Sequence, residues 1–400
     1  MRQGFLFSTL NRDLRLIFAS NLMGSFGDGL YAYLLPVYMT ENLKASSIEV
    51  GTLFAVVNLL AASTLLLAGV IADRYDRKKI MVAGWIAWVP APLFFALARN
   101  WTEMLPGMVL WGVWLGGPTV TAYVVTSASK DRLTLSFATI SASWSLGYVI
   151  SPALGGYLAS KLSMRVVFIL ASILYASAGL ILSLISSQKP AIRKPESHSE
   201  ENYSFFRLLR IKRLLMLSLF FASVMFTLML FRPFISKFLA DVYGYSQLEI
   251  GVSGSVLFLG SSVLGILIGR LGDRGRKSYA LASTLALCGL SLTLLLASRD
   301  FRILIITVFL AGCSYTLWSL MNAIVGPLAP EPVRARWASI PQTVSMFSSI
   351  MAPYVGGVLY GVSPYYPFEV AIVMVLLLAL LASTGILEVA EPKHPQNLML

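Results

Sequence analysis

Apolar stretches recur along the 400-residue chain, separated by short polar breaks. Each stretch has about 18 to 25 residues, enough for a helix to cross about 30 Å of hydrocarbon. A helix also satisfies its own backbone hydrogen bonds where water is absent. The pattern predicts an all-α membrane protein with twelve transmembrane helices. They are expected at residues 16–40, 48–72, 79–99, 103–127, 136–159, 164–186, 214–240, 247–269, 278–298, 302–326, 337–360 and 367–388.

A polar segment divides these spans into two groups of six. Residues 187–213 include the run QKPAIRKPESHSEEN, which is rich in Pro, Lys, Glu and Ser. Such a run cannot bury enough apolar surface to fold by itself, so it predicts a linker. We therefore expect an N-terminal six-helix bundle at 1–186 and a C-terminal six-helix bundle at 214–400.

The two groups of spans are internal repeats of each other. SSIEVG at Ser46–Gly51 recurs 200 residues later as SQLEIG, and GVIADR at Gly69–Arg74 recurs as GRLGDR at the same offset. SPALGGYL at Ser151–Leu158 matches APYVGGVL at Ala352–Leu359, an offset of 201. Six spans per repeat make the repeats parallel. Two parallel, pseudo-symmetric bundles are typical of a large class of secondary transporters.

The basic residues indicate how the chain is oriented. Only 12% of residues are charged, about half the share of a soluble domain, and the net charge is +12. Of the 31 Lys and Arg residues, 23 fall on the side of the termini and the linker, and 7 fall on the other side. The positive-inside rule places both termini and the linker in the cytoplasm of a multi-pass plasma (inner) membrane protein. Since the basic residues serve topology, nucleic-acid binding is not expected.

The sequence offers no chemistry for an enzyme. Cys288 and Cys313 lie inside apolar spans, and the two histidines, His198 and His394, lie in polar segments outside them. No P-loop, Ser/His/Asp group or metal-ligand spacing is present. We expect no catalytic residue, no metal, no cofactor and no enzymatic activity.

Two charges lie deep inside predicted spans, whereas the others lie in loops or near the span ends. Asp28 is 13 residues from Arg15 and 13 residues from Glu41, which places it near the middle of the first span. Arg232 is the one base deep inside a span, and at an offset of 200 it corresponds to Ala32, one helical turn beyond Asp28. Intramembrane charges are costly and point to function. We expect the two charges to face each other across a central axis and to serve proton coupling.

Small residues surround the predicted coupling site. Gly24, Gly27 and Gly29 flank Asp28, so water or a solute is expected to approach the carboxylate. The alternative is a static ion pair between Asp28 and Arg232 that closes the outer face.

The loop between spans 2 and 3 carries a family resemblance. GVIADRYDRKK at Gly69–Lys79 resembles the signature of the major facilitator superfamily, and GRLGDRGRK at Gly269–Lys277 is its companion. Asp76 stands where the family usually has a second glycine, and the second copy is one residue shorter. The resemblance covers essentially the whole chain. It implies the major facilitator fold and transport by alternating access.

By the same resemblance, this loop forms a cytoplasmic gate. A carboxylate at a helix end can accept hydrogen bonds from the amides of a neighbouring helix and pair with arginine. The alternative is that the basic residues are only topology anchors. The gate residues are Gly69, Asp73, Arg74, Arg77, Gly269, Asp273, Arg274 and Arg276.

Pro and Gly pairs in spans 5 and 11 resemble a motif associated with antiporters. Ser151 and Ala352 stand where that motif would have glycine. Because the pattern occurs in both halves, a general hinge or packing role is the alternative. The residues are Pro152, Gly155, Gly156, Pro353, Gly356 and Gly357.

Aromatic and polar residues within the spans predict a sparsely polar substrate cavity. Interface anchoring and helix packing are the alternatives for each of them. The candidates are Tyr31, Asn58, Trp144, Tyr148, Tyr315, Trp318, Asn322 and Gln342.

The first hypothesis for function is a proton-coupled exporter of lipophilic or cationic small molecules, similar to the multidrug efflux antiporters. One alternative is a symporter or a lipid or organic-anion carrier in which Arg232 binds the anionic group. A non-transporting membrane receptor or scaffold is the alternative from another class. The expected partners are a small-molecule substrate, protons and the lipid bilayer, and by the resemblance the chain works as a monomer.

Overall fold

The computed structural model describes residues 10–72, 74–129, 133–189, 211–274, 277–325 and 334–385. Within these ranges all regular secondary structure is helical, as the hydropathy pattern predicts. The helices are α1 (Arg12–Gly29), α2 (Leu35–Glu41), α3 (Ser47–Ala72), α4 (Arg77–Trp88), α5 (Pro90–Leu97), α6 (Leu105–Gly112), α7 (Gly116–Ser127), α8 (Leu133–Lys161), α9 (Met164–Leu182), α10 (Lys212–Phe231), α11 (Ile235–Asp241), α12 (Gln247–Arg274), α13 (Lys277–Ala297), α14 (Phe301–Ala311), α15 (Leu317–Val325), α16 (Arg334–Val362) and α17 (Tyr366–Ser383).

Several predicted spans are interrupted helices. The first contains α1 and α2 with a turn at residues 30–34, and Pro36 occupies the first turn of α2, where no N–H is needed. The third contains α4 and α5, and α5 begins at Pro90. In the fourth, residues 113–115 leave the helix before Gly116 begins α7. Proline lacks the N–H donor and glycine weakens a helix, so hydropathy alone misses these breaks.

Eight helical stretches of the described residues are long and apolar enough to cross a membrane. This supports a multi-pass membrane protein, and the count of twelve stays a prediction. The stretches are Ser47–Leu65, Arg77–Leu97, Met164–Leu182, Lys212–Asp241, Gln247–Asp273, Lys277–Ala297, Phe301–Val325 and Tyr366–Ser383.

Internal contacts divide the chain into two compact units. The first unit is Met1–Arg193 with Ile235–Ser255, and the second is Lys194–Phe234 with Val256–Leu400. Within the first unit α11 packs on α2, and the Lys237 ammonium donates to Thr40 Oγ1 at 3.1 Å. The predicted boundaries of the bundles stay a prediction, because residues 190–210 of the linker lie outside the described residues.

The same close helix contact occurs in each unit. In the first unit, Gly155 of α8 lies so near the end of α1 that an added Cβ would overlap the carbonyl oxygen of Leu30. In the second unit, Gly356 of α16 meets α10 in the same way, at the carbonyl oxygen of Leu230. Small residues allow this close backbone approach between membrane helices. The two pairs are related by the offsets of 201 and 200, so the sequence repeat corresponds to a repeated packing contact.

Candidate functional site

The carboxylate of Asp28 is buried at the end of α1, and the residue is 4% exposed. Trp111 Nε1 donates to Asp28 Oδ1 at 2.8 Å, and the Tyr175 hydroxyl donates to the same oxygen at 2.5 Å. The Tyr148 hydroxyl donates to Oδ2. A buried carboxylate needs such charge-assisted hydrogen bonds to offset its lost hydration. Three helices, α6, α8 and α9, thus converge on one acidic side chain.

Tyr31 forms a second layer behind these donors. Its hydroxyl lies 2.9 Å from the Tyr175 hydroxyl, and the residue is fully buried. Its ring packs against Phe95, Phe168 and Trp111 with ring centroids 5.5 to 5.9 Å apart. Tyr31 was predicted to line a cavity, but the structure places it in the packed aromatic surroundings of the carboxylate.

The glycines beside the carboxylate do not open a path to it, contrary to the sequence prediction. An added Cβ at Gly24 would overlap the indole of Trp85, and one at Gly29 would overlap the hydroxyl of Ser151. Gly27 is in close contact with α9. These glycines therefore make room for neighbouring side chains and helices. In the sequence, the three glycines suggest open space beside Asp28. In the structure, residues that are distant along the chain fill that space.

A cavity of about 180 Å³ lies in the first unit. Four indoles line it in a chain of contacts: the ring centroids are 5.5 Å apart for Trp85–Trp88, 5.5 Å for Trp88–Trp114, 5.7 Å for Trp114–Trp144 and 6.2 Å for Trp144–Trp85. We call these four residues the tryptophan cluster. The other lining residues are Asn21, Met81, Gly84, Val113, Leu115, Gly116, Gly117, Val120, Thr121, Phe137, Ile140, Ser141 and Leu182, none of which carries a charge.

One aromatic layer joins this cavity to the buried carboxylate. Trp144 stacks on Tyr148 with centroids 6.4 Å apart, and Trp85 lies 5.7 Å from Tyr175. Tyr148 and Tyr175 both donate to Asp28. Trp144 and Tyr148 were predicted as cavity residues, and the structure places Trp144 in the cavity wall and Tyr148 between that wall and the carboxylate.

The break between α6 and α7 shapes the same cavity. Trp88 Nε1 donates to the carbonyl oxygen of Val113 at 2.6 Å, and the Trp114 amide donates to Thr64 Oγ1 at 2.9 Å. Both backbone groups lie where the helix is interrupted and would otherwise need a partner. Side chains from α3 and α4 therefore hold the interrupted segment in place.

Arg232 belongs to the second unit, in a 3₁₀ turn (Arg232–Phe234) that follows α10. Its guanidinium donates to Ser314 Oγ at 3.0 Å and lies 4.2 Å from the ring centroid of Tyr315. Tyr315 in turn packs on Phe258, with ring centroids 5.2 Å apart. The predicted pairing of Arg232 with Asp28 stays a prediction, since the two residues belong to different units.

The remaining cavity candidates are spread over both units. Gln342 Nε2 donates to Asn322 Oδ1 at 2.7 Å in the second unit. Trp318 is partly exposed on α15, and Asn58 is partly exposed on α3 of the first unit. Their role as substrate contacts stays a prediction.

The structure describes some of the predicted gate residues. Asp73 and Arg276 lie outside the described residues, as does the side chain of Arg274. Gly69 lies in α3, and Arg74 is exposed after its end; Gly269 and Asp273 are exposed in α12. Arg77 donates through Nη1 to Gln188 Oε1 at 2.7 Å, to Thr126 Oγ1 at 2.8 Å and to the Ala122 carbonyl at 3.1 Å. The described part of this motif therefore binds α7 and the start of the predicted linker.

Asp76, the departure from the family pattern, is a helix cap. It begins α4 by accepting a hydrogen bond from the Lys78 amide at 3.0 Å, and it accepts the Ser187 hydroxyl at 2.5 Å and the Gln188 amide at 3.2 Å. Burial acts to raise the pKa of Asp76, but these hydrogen bonds and the charge of Lys79 together hold it below its ordinary value. The Asp76 carboxylate thus anchors the residues that open the linker.

The Pro and Gly pairs lie at close helix contacts. Pro152 and Pro353 are inside α8 and α16. Besides the Gly155 and Gly356 contacts, an added Cβ at Gly156 would overlap the Gln247 carbonyl oxygen within the first unit. Gly357 is buried in α16. These positions show close packing, and their role as a hinge or as an antiporter marker stays a prediction.

A family model described as Major Facilitator Superfamily matches residues 17–238 and 223–398. Together the two matches cover nearly the whole chain. The chain belongs to the Major Facilitator Superfamily. Membership confirms the predicted resemblance and makes this facilitator a transporter rather than an enzyme.

Several relatives of this facilitator are multidrug resistance proteins. Multidrug resistance protein 2 of Bacillus subtilis (strain 168) is 25% identical over 370 residues, which cover 89% of this chain and 91% of that protein. Multidrug resistance protein MdtG of Proteus mirabilis (strain HI4320) is 23% identical over 381 residues, 90% of this chain and 93% of that protein.

Solved structures show the same fold. A variant of the nucleoside transporter NupG superposes with a TM-score of 0.80 at 16% identity, covering 94% of this facilitator and 99% of that chain. A POT family transporter in complex with 5-aminolevulinic acid gives a TM-score of 0.75 at 15% identity, with 94% and 96% covered. These likenesses establish the all-helical facilitator fold.

Proposed function

We propose that this facilitator is a proton-coupled exporter of lipophilic or cationic small molecules, in which Asp28 exchanges its proton against the substrate. The observation that carries the proposal is the buried Asp28 carboxylate, which three donors hold one aromatic layer away from an uncharged cavity. The multidrug resistance proteins among the relatives, at 25% identity or less in the two described above, support the same substrate class.

The geometry couples protonation to the cavity wall. As a carboxylate, Asp28 accepts from Tyr148, Tyr175 and an indole N–H. A proton on one oxygen makes that oxygen a donor, so the hydroxyl facing it must turn away or become an acceptor. Trp144 and Trp85 pack on the two tyrosine rings, so this rearrangement reaches the substrate site.

Alternating access completes the proposal. Twelve helices form two pseudo-symmetric bundles, at 1–186 and 214–400, with both termini in the cytoplasm and the chain acting as a monomer. The paired contacts of Gly155 and Gly356 support the pseudo-symmetry. One bundle then rocks against the other, and the gate motif at the ends of α3 and α12 latches the cytoplasmic side.

A second candidate is a symporter or a carrier of lipids or organic anions. The surroundings of Arg232 favour it: Nη2 bonds Ser314, whereas the buried Nε has no hydrogen-bond partner among the described residues. A guanidinium with a spare N–H donor can bind a carboxylate or a phosphate. In this candidate, Arg232→Gln abolishes transport of anions.

Transport into proteoliposomes under an imposed pH gradient of either sign tests these functions. The exporter predicts uptake of cations only when the lumen is acidic, because protons must leave as the substrate enters. Flux of organic anions that depends on Arg232 would support the carrier instead. If no cation or anion tested gave substrate-dependent flux, the result would favour a non-transporting membrane receptor or scaffold.

The matched substitutions are Asp28→Asn and Glu369→Gln. Each removes one carboxylate with little change in size, but Glu369 is exposed near the start of α17. The proposal predicts that only Asp28→Asn abolishes the response to the pH gradient. Full gradient-driven uptake by Asp28→Asn would contradict it.

A further inference from the structure

We propose that the tryptophan cluster of the first unit is a binding site for an aromatic quaternary ammonium ion, one ring in size. This inference rests on the proposed function for the direction of transport and adds to it the location and chemical class of the bound group. It places recognition inside one unit, between α4, α7, α8 and their neighbours.

The walls of the cavity favour a cation. Indole is the aromatic side chain with the strongest attraction for cations, which it binds over its face within about 6 Å. Four indoles line this cavity, and the ring centroids of neighbouring indoles are 5.5 to 6.2 Å apart. A single tryptophan is an ordinary core residue, whereas four that line one cavity offer several indole rings to a bound cation.

The buried carboxylate adds to this preference. Tyr148 and Tyr175 lie between the cavity wall and Asp28, and both hydroxyls donate to the carboxylate. No lining residue carries a charge, so a bound cation meets no positive side chain of the wall. In a low-dielectric interior, the negative charge of Asp28 one ring layer away is screened less than in water.

The small number of hydrogen-bond acceptors favours a quaternary ammonium over a primary amine. A primary ammonium has three N–H donors, each of which is costly to bury without a partner. Asn21, Thr121 and Ser141 are the lining side chains that offer an acceptor oxygen, whereas the four indoles offer only N–H donors. A quaternary ammonium has no N–H group and needs no acceptor.

The volume sets the size of the ligand. A dry apolar cavity of about 150 Å³ accommodates benzene. The cavity here, about 180 Å³, therefore suits one ring with a compact ammonium group. Phenyltrimethylammonium has this size, and tert-butylbenzene is its neutral counterpart of nearly the same shape.

Equilibrium dialysis against the facilitator in lipid nanodiscs, without a pH gradient, measures binding of the two probes, with empty nanodiscs subtracted. The expected result is saturable binding of phenyltrimethylammonium at least about tenfold tighter than that of tert-butylbenzene. Equal affinity for both probes, or no saturable binding of the cation, would overturn the proposal. This comparison uses the unsubstituted protein, so it does not depend on the folding of any variant.

Substitutions then locate the site. Trp144→Leu is expected to weaken binding of the cation about threefold to thirtyfold, with Trp144→Tyr losing less because it retains an aromatic face. The matched control is Trp101→Leu, since Trp101 lies in the 3₁₀ segment Trp101–Met104 and does not line the cavity. Equal affinities of Trp144→Leu and Trp101→Leu would place the bound cation elsewhere.

These assays test the proposed binding site and the proposed transport function independently. Cation binding at the cluster without flux in proteoliposomes would contradict the proposed function and support the site. Flux of cations that does not change in Trp144→Leu would support the function and overturn the site.

Discussion

Replacing Gly155 with alanine is expected to destabilise the first unit and impair transport. An ideal Cβ at this position lies 2.6 Å from the carbonyl carbon and 2.9 Å from the Cα of Leu30, whereas ordinary contact begins at 3.4 Å. The carbonyl oxygen of Leu30 lies closer still, so the two backbones must separate by at least about 0.8 Å, the difference between 3.4 and 2.6 Å. Leu30 follows Asp28 by two residues, and Tyr148 precedes Gly155 by two turns of α8. The separation therefore stretches the hydrogen bond between Tyr148 and the carboxylate.

The expected change in the free energy of unfolding is the difference between two opposing contributions. Overpacking a well-packed contact destabilises a protein by about 1–3 kcal/mol. Replacing a glycine inside a helix with alanine stabilises it by about 0.5–1 kcal/mol. The overlapped group is backbone, which cannot rotate away as a side chain can. The two ranges leave a net loss of up to about 2.5 kcal/mol, and because a backbone overlap favours the larger cost, we expect about 1–2 kcal/mol in the free energy of unfolding.

Unfolding in detergent by titration with SDS, followed by helical circular dichroism, measures this loss. Gly361→Ala is the control, because it also adds a methyl group to a long helix but meets no atom within 4 Å. The control is expected to be as stable as the unsubstituted protein or slightly more stable. Equal stability of Gly155→Ala and Gly361→Ala would refute the close contact between α1 and α8.

Three further predictions concern the other polar contacts. Tyr175→Phe removes a donor to Asp28 and is expected to cost about 1–3 kcal/mol in the same titration; an unchanged midpoint would show that the hydroxyl does not stabilise the carboxylate. Asp76→Ala frees the amide of Gln188, so hydrogen–deuterium exchange of that amide should accelerate, and unchanged exchange would contradict the anchoring. The pKa of Asp76 is held below 3.8, so its stabilisation is present above that pH and is lost only as the pH falls through the lower folded value. Protection of Gln188, corrected for the intrinsic rate, should therefore be constant between about pH 5 and about pH 8. Arg232→Lys keeps the charge but loses the planar guanidinium over an aromatic ring, and a loss of about 0.5–2 kcal/mol of unfolding free energy is expected; no loss would show that the ring contact contributes nothing.

The sequence predicts the acidic centre of the site but not its partners. Asp28 stands out because a carboxylate in the middle of an apolar span is costly. Its donors Trp111, Tyr148 and Tyr175 lie 83, 120 and 147 residues away along the chain. One sequence does not show which helix faces another, and Tyr148 was chosen only as an aromatic residue of span 5.

The tryptophan cluster is a harder case for sequence reasoning. Trp144 was predicted as a cavity residue, whereas Trp85, Trp88 and Trp114 were not, since aromatic residues equally serve as interface anchors. A usable signal was the run of glycines that follows Trp114, because it marks the helix break that shapes the cavity.

The internal repeat, which predicted the topology, is also found in the packing of the structure. The offset of about 200 pairs Gly155 with Gly356 and Leu30 with Leu230, and both pairs form the same contact. Asp76 shows the opposite case. As a departure from the family pattern it carried no prediction, because its role depends on residues 187–188, more than 100 positions later.

The central claim is that Asp28 carries the proton that drives transport. The most direct test traps a pH-sensitive dye in proteoliposomes and applies a substrate gradient in the absence of any pH gradient. We predict that the unsubstituted facilitator moves protons against the flow of substrate, and that Asp28→Asn still exchanges labelled for unlabelled substrate but moves no protons. Substrate-driven proton movement by Asp28→Asn at the unsubstituted rate would contradict the account.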